Sequence, residues 1–390
     1  MDLNPIYHAM GTTVFEEMSA LCRDGSRINL GQGFPDDNGP LALREAAARA
    51  LIERSNQYPP AAGLPELRGA LAEFYARTQG LALDSGQIVV TSGATEALAA
   101  AILAVVTPGA EVLMFAPCYD LYAPFVRRAG GVPVIVPLQP PHWTYQRAEI
   151  AARITPRTTA LILNDPLNPT GSVAGPAELA MLAELCVAHD LVAICDEVWE
   201  AVRFDGLPHR SLLGFPGMGG RTIKIGSAGK LFGLTGWKLG WMACGPDLAQ
   251  VAARAHQFLT FTTIPATQWA VAEGLARADL LAERLTGWAE TRAVLNGLLA
   301  DHGFAALPGP ATWFTCVDLP ASGVALTGAE FARRAVSEGG VATIPLSAFL
   351  EEGQDSPIVR LCHCKAPEVL AEGVRRLAAF RDGLSSSSRT

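Results

Sequence analysis

Short apolar runs alternate with segments of helical periodicity from residue 87 to residue 258, and this alternation constrains the fold more than any other feature. The runs predicted to be strands are Ile88–Thr91, Val112–Phe115, Val132–Val136, Thr159–Leu163, Val192–Cys195, Thr222–Ile225 and Leu239–Ala243. Helical patterns fill most of the gaps, including Ala94–Val106, Pro176–His189 and Pro246–Phe258. Apolar strands separated by helices form a mostly parallel sheet covered on both faces. The sequence therefore predicts an α/β fold that binds ligands at the carboxyl ends of its strands.

The rest of the chain is predicted to form a smaller α+β domain and two irregular ends. A long charged helix, Ala282–Leu299, leads to strand candidates Thr312–Val317 and Ile358–Cys362 and to helices at Gly328–Ser337 and Glu368–Arg381. We therefore divide the chain into an irregular N-terminal arm that joins the small domain (1–40), a large domain (41–275), the small domain (276–383) and a disordered serine-rich tail (384–390).

Composition and charge exclude several classes of function. The 390 residues are 49% hydrophobic and 17% charged, which is sufficient for a large core, and the net charge is −8. Because no run of lysine or arginine is present, neither nucleic acid nor an anionic membrane is expected as a partner. The longest apolar run, Ala97–Val106, is too short to span a bilayer, and the N-terminus lacks a signal-peptide pattern. We therefore expect a cytoplasmic protein.

The eight cysteines are scattered, without a CxxC pair or histidines at zinc spacing. Their only cluster, Cys362–His363–Cys364, lies in a stretch that resembles a strand. We expect reduced thiols that act mostly as small core residues, and we expect no metal site.

Lys230 is the first candidate for a catalytic residue. It follows a predicted strand and the small residues 226–229, in surroundings that disfavour a charged amine. Burial lowers the pKa of a lysine, and a neutral amine on a rigid turn can form a Schiff base with a carbonyl group. The SxxK pattern also occurs by chance, and the alternative is a lysine that faces solvent.

Two loops after predicted strands favour an anion site and a stacking ring. In Thr91–Glu96 a strand enters a helix through small residues, and the free N–H groups at such a helix start bind phosphate. The same residue types also cap helices in the absence of any ligand. Tyr119, in the loop after the next strand, is placed to stack on a flat heteroaromatic ring, although packing beneath its own loop is an equal alternative.

Two further loops bring polar residues to the same edge of the predicted sheet. Asn168 lies between prolines in the loop 164–171, whose stiffness suits a side chain that must aim at a ligand, although an ordinary turn also fits. Asp196 ends an apolar strand and is predicted to be buried with a partner. Either a protonated pyridine nitrogen or a nearby arginine would satisfy this carboxylate.

In this order along the chain, these residues resemble the fold-type-I aminotransferases of class I/II, which depend on pyridoxal 5′-phosphate. Within that family the chain is similar to the branch of the kynurenine aminotransferases (glutamine transaminase K) and the N-succinyldiaminopimelate aminotransferases. The segments that carry the resemblance are Asn29–Asp36, Asn56–Tyr58, Asn168–Gly171, Asp196–Val198, Ser227–Lys230, Gly236–Lys238 and Ile344–Ser347 to Arg360. The resemblance covers nearly the whole chain. It implies a seven-stranded, mostly parallel sheet in the large domain and amino-group transfer between an L-amino acid and a 2-oxo acid.

The resemblance also implies the residues that bind the cofactor. Lys230 would form the Schiff base and later carry a proton between Cα and C4′, while Asp196 would keep the pyridine nitrogen protonated. Tyr119 would stack on the ring, and Asn168 and Trp199 would lie near its O3′ oxygen. The residues implied to bind the phosphate are Gly93, Ala94, Thr95, Ser227, Lys238 and, from the second subunit of a homodimer, Tyr58.

The substrate-binding residues follow from the same resemblance. Arg360 would hold the substrate carboxylate in a two-pronged contact, helped by Asn168 and by the N–H of Gly33. Phe15 would line the pocket for the substrate side chain. Taken alone, Arg360 would be interpreted as a solvated surface arginine.

Trp199 departs from the pattern of this family, whose members usually have tyrosine at the position. Tryptophan donates a hydrogen bond through its indole N–H, but it is larger and cannot ionise. Cys118 and the segment 165–167 also differ from the usual residues. Two interpretations stay open: a plain transaminase, or a C–S β-lyase or oxidative or decarboxylative deaminase that acts on a substituted amino acid. A third, an inactive cofactor-binding homologue, is disfavoured by the presence of Lys230, Asp196 and Arg360 together.

Overall fold

The computed structural model describes residues 1, 3–8 and 10–387. The α-helices of this part of the chain are α1 (Pro5–His8), α2 (Val14–Leu21), α3 (Leu41–Glu53), α4 (Pro65–Gln79), α5 (Ala94–Val105), α6 (Tyr122–Arg128), α7 (Arg147–Ala151), α8 (Pro176–Ala188), α9 (Ala228–Phe232), α10 (Pro246–Gln257), α11 (Pro265–Leu275), α12 (Ala278–Asp301), α13 (Gly328–Ser337) and α14 (Pro367–Ser387). The β-strands are β1 (Ile28–Asn29), β2 (Ile88–Thr91), β3 (Glu111–Ala116), β4 (Val132–Pro137), β5 (Thr158–Asn164), β6 (Val192–Asp196), β7 (Thr222–Ser227), β8 (Gly240–Cys244), β9 (Ala305–Ala306), β10 (Phe314–Asp318), β11 (Val341–Ala342), β12 (Ile344–Pro345) and β13 (Ile358–Cys362).

Strands β2 to β8 form a seven-stranded central sheet in the order β2-β8-β7-β6-β5-β3-β4. Strand β8 runs antiparallel to β2 and β7, and the other neighbouring strands are parallel. The α/β fold and the mostly parallel sheet predicted from the sequence are therefore confirmed. Of the seven strands predicted for this sheet, only the last is shifted along the chain: it was predicted at Leu239–Ala243, and β8 runs from Gly240 to Cys244.

Helices cover both faces of the central sheet, which explains why its strands are apolar along their whole length. In β3, Val112 and Met114 belong to the apolar cluster that contains residues of α5 and α10. Leu113 and Phe115 point to the opposite face and join a cluster with residues of α8. Successive side chains of a strand alternate between faces, so a strand that is buried on both sides must be apolar at every position.

A smaller unit follows the central sheet in the chain. Its four-stranded antiparallel sheet has the order β12-β13-β10-β9. Helices α12, α13 and α14 contribute apolar residues to its core, among them Leu295, Phe331 and Leu370. Strand β1, from the N-terminal arm, pairs in parallel with β11 and so attaches the arm to this unit.

The two ends of the chain differ from the sequence prediction. The first 40 residues were predicted to be irregular, but they contain α2, which begins after Thr13. The Thr13 hydroxyl accepts the N–H of Glu16 at 3.3 Å, an N-cap signal that the prediction did not use. Helix α14 extends to Ser387, into the segment 384–390 predicted to be disordered. Ser388–Thr390 lie outside the described residues.

Within the described ranges, no helix has the length and apolarity needed to cross a bilayer. All eight cysteines are unpaired thiols. The same ranges contain no group of three or more His, Cys, Asp or Glu side chains that could hold a metal ion.

Candidate active site

A cavity of about 480 Å³ opens where the carboxyl ends of β5, β6 and β7 meet the start of α5 and the smaller unit. All but one of the site residues expected from the sequence line it. They are Phe15, Gly33, Gly93, Ala94, Thr95, Tyr119, Asn168, Asp196, Trp199, Ser227, Lys230, Lys238 and Arg360. The exception is Tyr58. The lining residues that follow strands of the central sheet converge because the loops after parallel strands emerge at one edge, and Phe15, Gly33 and Arg360 are added by the N-terminal arm and the smaller unit.

Lys230 lies on α9, directly after β7, with its amine held between aromatic rings. Its Nζ is 4.8 Å from the ring centre of Trp199 and 5.0 Å from that of Trp313. It donates one long hydrogen bond of 3.5 Å, to the carbonyl oxygen of Gly33. Burial lowers the pKa of Lys230 to about 8. The amine is therefore easily deprotonated, as a nucleophile that attacks a carbonyl carbon must be.

Asp196 ends β6 and is 5% exposed. The hydroxyl of Tyr122 donates to its Oδ2 at 2.6 Å, and the N–H of Val198 donates to its Oδ1 at 3.5 Å. Burial raises the pKa of Asp196 to about 6, although the bond from Tyr122 opposes this rise. No arginine or lysine forms an ion pair with Asp196 among the described residues. Within the described part of the chain, this carboxylate therefore has hydrogen-bond donors but no cationic partner, which leaves it available to a cationic ligand.

Asn164, to which the sequence assigned no role, positions two loops of the site. Asn164 is the register partner of Asp196 in the neighbouring strand. Its amide donates to the carbonyl oxygen of Asp196 at 2.8 Å, and its Oδ1 accepts the N–H of Asn168 at 2.8 Å. It therefore ties the two loops that carry Asp196 and Asn168. The available signal was its place at the end of a predicted strand, at the start of the same polar loop.

The start of α5 and Lys238 form a cradle suited to an anion. Gly93 precedes the helix with φ +82°, and the first N–H groups of the helix, from Ala94 and Thr95, have no acceptor within it. Lys238 has a left-handed backbone, φ 49°, and its Nζ would lie 3.4 Å from a Cβ added to Gly93. Ser227, at the end of β7, lines the same part of the cavity. A cation, a hydroxyl and free N–H groups therefore face one space.

Arg360 lies on β13 and is a buried cation that lacks a carboxylate partner among the described residues. It is 2% exposed. Its guanidinium donates to Oδ1 of Asn168 at 2.9 Å and to the carbonyl oxygen of Gly31 at 2.6 Å, and it lies 3.8 Å from the ring centre of Phe314. Its Nε is buried without a hydrogen-bond partner. Burial lowers the pKa of Arg360 to about 10. A buried guanidinium that has no carboxylate partner favours an anionic ligand.

Gly33 must be a glycine because Arg360's neighbour Phe314 approaches it closely. A Cβ added to Gly33 would lie 2.6 Å from Cζ of Phe314, which is closer than carbon atoms can pack. The bare backbone therefore lies at the cavity wall, where its N–H can reach a ligand.

Trp199 is part of an aromatic cluster that surrounds the amine. It is 2% exposed, and its ring meets those of Trp313 and Phe314 edge to face at centre distances of 4.8 and 5.3 Å. Trp313 in turn meets Trp288 at 5.1 Å. The strand of Trp313 and Phe314 was predicted from the sequence, but no role was, because the contact of Trp313 with Lys230 depends on how the smaller unit packs on the central sheet.

Tyr58 lies outside the cavity of its own chain. Its side chain is 82% exposed, and its ring packs edge to face on Phe261 at 5.4 Å. Phe258, close to Phe261 in the sequence, is 87% exposed. These aromatic residues form part of an exposed apolar surface.

The fold and the site together define an α/β protein in which one cavity holds a buried lysine, a helix start with free N–H groups beside a second lysine, and a buried arginine. The sequence model of the family "Aminotransferase class I and II" matches residues 26–377. The probable N-succinyldiaminopimelate aminotransferase DapC of Mycobacterium tuberculosis is 43% identical over 385 residues, which are 95% of this chain and 96% of that protein. Methionine aminotransferase of Escherichia coli K12 is 37% identical over 94% of this chain and 96% of that protein.

A solved structure supports membership of the same family. The structure of N-succinyldiaminopimelate aminotransferase from Mycobacterium tuberculosis has a TM-score of 0.93 and 40% identity, over 97% of this chain and 100% of that one. The chain therefore belongs to the class I and II aminotransferase family. It is a fold-type-I aminotransferase of the branch expected from the sequence, and the β-lyase or deaminase alternative is not favoured.

Proposed function

We propose that the protein moves amino groups between an L-amino acid and a 2-oxo acid by using pyridoxal 5′-phosphate bound in this cavity. The observation that carries the proposal is the position of Lys230, whose pKa is lowered to about 8, in one cavity with the carboxylate of Asp196, which has no ion-pair partner among the described residues. A lysine of low pKa opposite a carboxylate that lacks a cation suits a cofactor with both an aldehyde and a basic ring nitrogen.

The residues of the cavity fit this cofactor. The phosphate would occupy the cradle of Gly93, Ala94, Thr95, Ser227 and Lys238. The ring would lie between the side chains that follow β3 and β6, with Tyr119 against it and with Trp199 and Asn168 near its oxygen. Bound there, the cofactor supplies an electron sink for the bonds at the amino acid's Cα.

The protein's own groups perform the remaining tasks. Lys230 would hold the cofactor through its amine, and its free amine would carry a proton to and from the substrate's Cα. Asp196 would hold the ring nitrogen in its protonated form through a charge-assisted bond. Arg360, with Asn168 and the N–H of Gly33, orients the substrate carboxylate so that the reacting bond faces the lysine.

We further propose a cytoplasmic homodimer in which each subunit completes the other's phosphate site. The support is the position of Tyr58, which belongs to a segment that resembles the family's phosphate-binding region but is 82% exposed and outside its own cavity. A second copy of the chain would cover Tyr58 and Phe258 and bring Tyr58 to the partner's cradle.

A half-reaction tests the function. Purified holoenzyme is mixed with methionine, kynurenine, N-succinyldiaminopimelate or S-substituted cysteines, the choice being guided by the relatives' names. With no 2-oxo acid present, we expect the yellow absorbance to be lost once, with a single equivalent of oxo acid formed per site. Continued turnover that releases ammonia or thiol would contradict transamination and favour the lyase. Absence of yellow absorbance in the protein saturated with cofactor would contradict both.

A further inference from the structure

His256, at the end of α10, has a hydrogen-bond acceptor at each ring nitrogen. Its Nδ1 is 2.5 Å from Oε1 of Glu96, and its Nε2 is 2.8 Å from the carbonyl oxygen of Ala61. An imidazole can donate to two acceptors only when both nitrogens carry protons. Burial lowers the pKa of His256, but its bonds to Glu96 and Ala61 outweigh burial and raise the pKa above its ordinary value. The ring is therefore held as an imidazolium.

Glu96 connects this imidazolium to the anion cradle. It lies in the first turn of α5, and its Oε2 accepts the N–H of Ser92 at 2.6 Å. Both of its oxygens thus accept hydrogen bonds, which is the pattern of a carboxylate. Ser92 directly precedes Gly93, Ala94 and Thr95, so the Glu96 side chain braces the turn that offers its N–H groups to the phosphate.

The other acceptor of His256 belongs to the loop that carries Tyr58. The carbonyl oxygen of the next residue in this loop, Ala62, accepts the N–H of Val90 at 3.0 Å. Tyr58 also packs on Phe261, in the segment that follows α10 and His256. His256 therefore joins the turn at residues 92–95 to the loop at residues 56–63, and it does not itself line the cavity.

We propose that His256 is a positioning residue that couples the two phosphate-binding elements of the dimer: the Gly93 turn of its own subunit and the Tyr58 loop that serves the partner's site. This inference rests on the proposed function, because it requires the cofactor phosphate and a second subunit. Without the imidazolium, the carboxylate of Glu96 and the carbonyl of Ala61 lose their buried donor, and the turn and the loop are no longer held in one arrangement.

The dissociation constant of pyridoxal 5′-phosphate tests this coupling. The cofactor is titrated into the cofactor-free dimer, and the yellow absorbance is followed. In His256→Gln a neutral amide replaces the charged ring, so Glu96 and Ala61 lose their charged donor. The dissociation constant is expected to rise roughly ten- to a hundredfold, which is the effect of losing a charge-assisted hydrogen bond. Glu96→Gln preserves shape and removes the negative charge, so it is expected to act in the same direction and serves if His256→Gln fails to fold.

A double-mutant cycle distinguishes positioning from general loosening. Tyr58→Ala is expected to weaken cofactor binding less in the His256→Gln protein than in the wild type, because the loop is already displaced there. Tyr119→Ala, which removes the ring contact instead of the phosphate contact, is the matched control, and its effect should be equal in both backgrounds.

Two results would overturn the coupling alone. One is unchanged cofactor affinity in both the His256→Gln and the Glu96→Gln proteins, and the other is an equal effect of Tyr58→Ala in both backgrounds. A wild-type protein that does not bind the cofactor would overturn the proposed function and this inference together, so the two failures are distinguishable.

Discussion

The hydroxyl of Tyr122 donates a 2.6 Å hydrogen bond to Oδ2 of Asp196, although the two residues are separated by 74 positions in the chain. Tyr122 is 2% exposed, so its ring is held by packing within the sheet's cover of helices. Burial raises the pKa of Asp196 to about 6, and the bond from Tyr122 lowers it. The tyrosine, which does not itself line the cavity, therefore stabilises the charged form of the carboxylate.

Replacing Tyr122 should move the acid limb of the pH profile. In Tyr122→Phe the carboxylate loses a donor, so its pKa rises further and Asp196 is protonated at a higher pH than in the wild type. A hydrogen bond to a charged group contributes about 1.5–3 kcal/mol, which corresponds to a shift of about one to two pH units. The acid limb of kcat/KM should therefore move toward neutral pH. Tyr119→Phe is the control and should not move this limb; an unmoved limb in Tyr122→Phe would refute the role.

Arg360 should determine affinity for the substrate carboxylate. In Arg360→Lys the charge remains but the planar fork is lost, and the ammonium cannot reproduce a two-pronged contact. We expect kcat/KM for the amino acid to fall roughly ten- to a hundredfold, while titration with the cofactor alone is unchanged. Arg375→Lys alters an exposed arginine with an ordinary ion pair to Glu372 and should leave kcat/KM as it is. Similar kcat/KM values in both variants would exclude the assigned role.

Lys224 lies beneath the site as a fully buried cation between two carboxylates. It contacts Glu197 and lies 2.6 Å from Oε2 of Glu200, with 0% of its side chain exposed. Removing one member of a buried ion pair leaves an uncompensated charge, so Lys224→Met should lower the free energy of unfolding by about 3–5 kcal/mol. Arg334→Met, which breaks an exposed pair with Glu338, should change the free energy of unfolding far less in the same urea titration, because solvent screens an exposed pair.

The buried contact between Lys224 and Glu197 also predicts how the free energy of unfolding depends on pH. Burial raises the pKa of Glu197, but Lys224 and His209 outweigh it and lower the pKa from 4.5 to about 2. A carboxyl group whose pKa is lower in the folded state stabilises the protein above its unfolded pKa, and this contribution is lost as pH falls toward the folded pKa. The free energy of unfolding of the wild type should therefore fall between pH 4.5 and pH 2. In Lys224→Met this part of the decline should be smaller; an equal decline would argue against the ion pair as its cause.

The fold and the polar residues that follow its strands were predictable because they follow from local pattern, whereas Phe15, Lys238 and Arg360 were expected only from the family resemblance. Strands such as Val112–Phe115 are apolar at every position, and polar residues that follow such strands, including Asp196 and Asn168, meet at one sheet edge. The roles of Tyr122, Trp313 and His256 could not be predicted in this way. Each depends on a side-chain partner supplied by a distant element, as with Tyr122 on α6 and Asp196 on β6, and apolar periodicity carries no information about such pairs.

Trp199 offers the sharpest test of reaction choice, because resembling enzymes usually have tyrosine at its position. The indole packs between Trp313 and Phe314, and Trp199→Tyr leaves part of that space empty while it offers a hydroxyl donor near the cofactor's oxygen. A smaller side chain in a packed cluster should lower the free energy of unfolding by about 1–3 kcal/mol. Since the chain is an aminotransferase, we expect the rate or the affinity to change but not the products.

The product assay uses an S-substituted cysteine without a 2-oxo acid, and both the wild type and Trp199→Tyr should release a single equivalent of oxo acid and no continuing ammonia. Trp288→Tyr is the matched control, because Trp288 packs on Trp313 but does not line the cavity; it should lower stability without changing the half-reaction. If the wild type instead releases ammonia and thiol over many turnovers and Trp199→Tyr does not, the tryptophan selects elimination. The assignment as a plain transaminase would then be wrong. The hydrogen bond to the cofactor's oxygen would decide whether a bond at Cα or a bond at Cβ breaks.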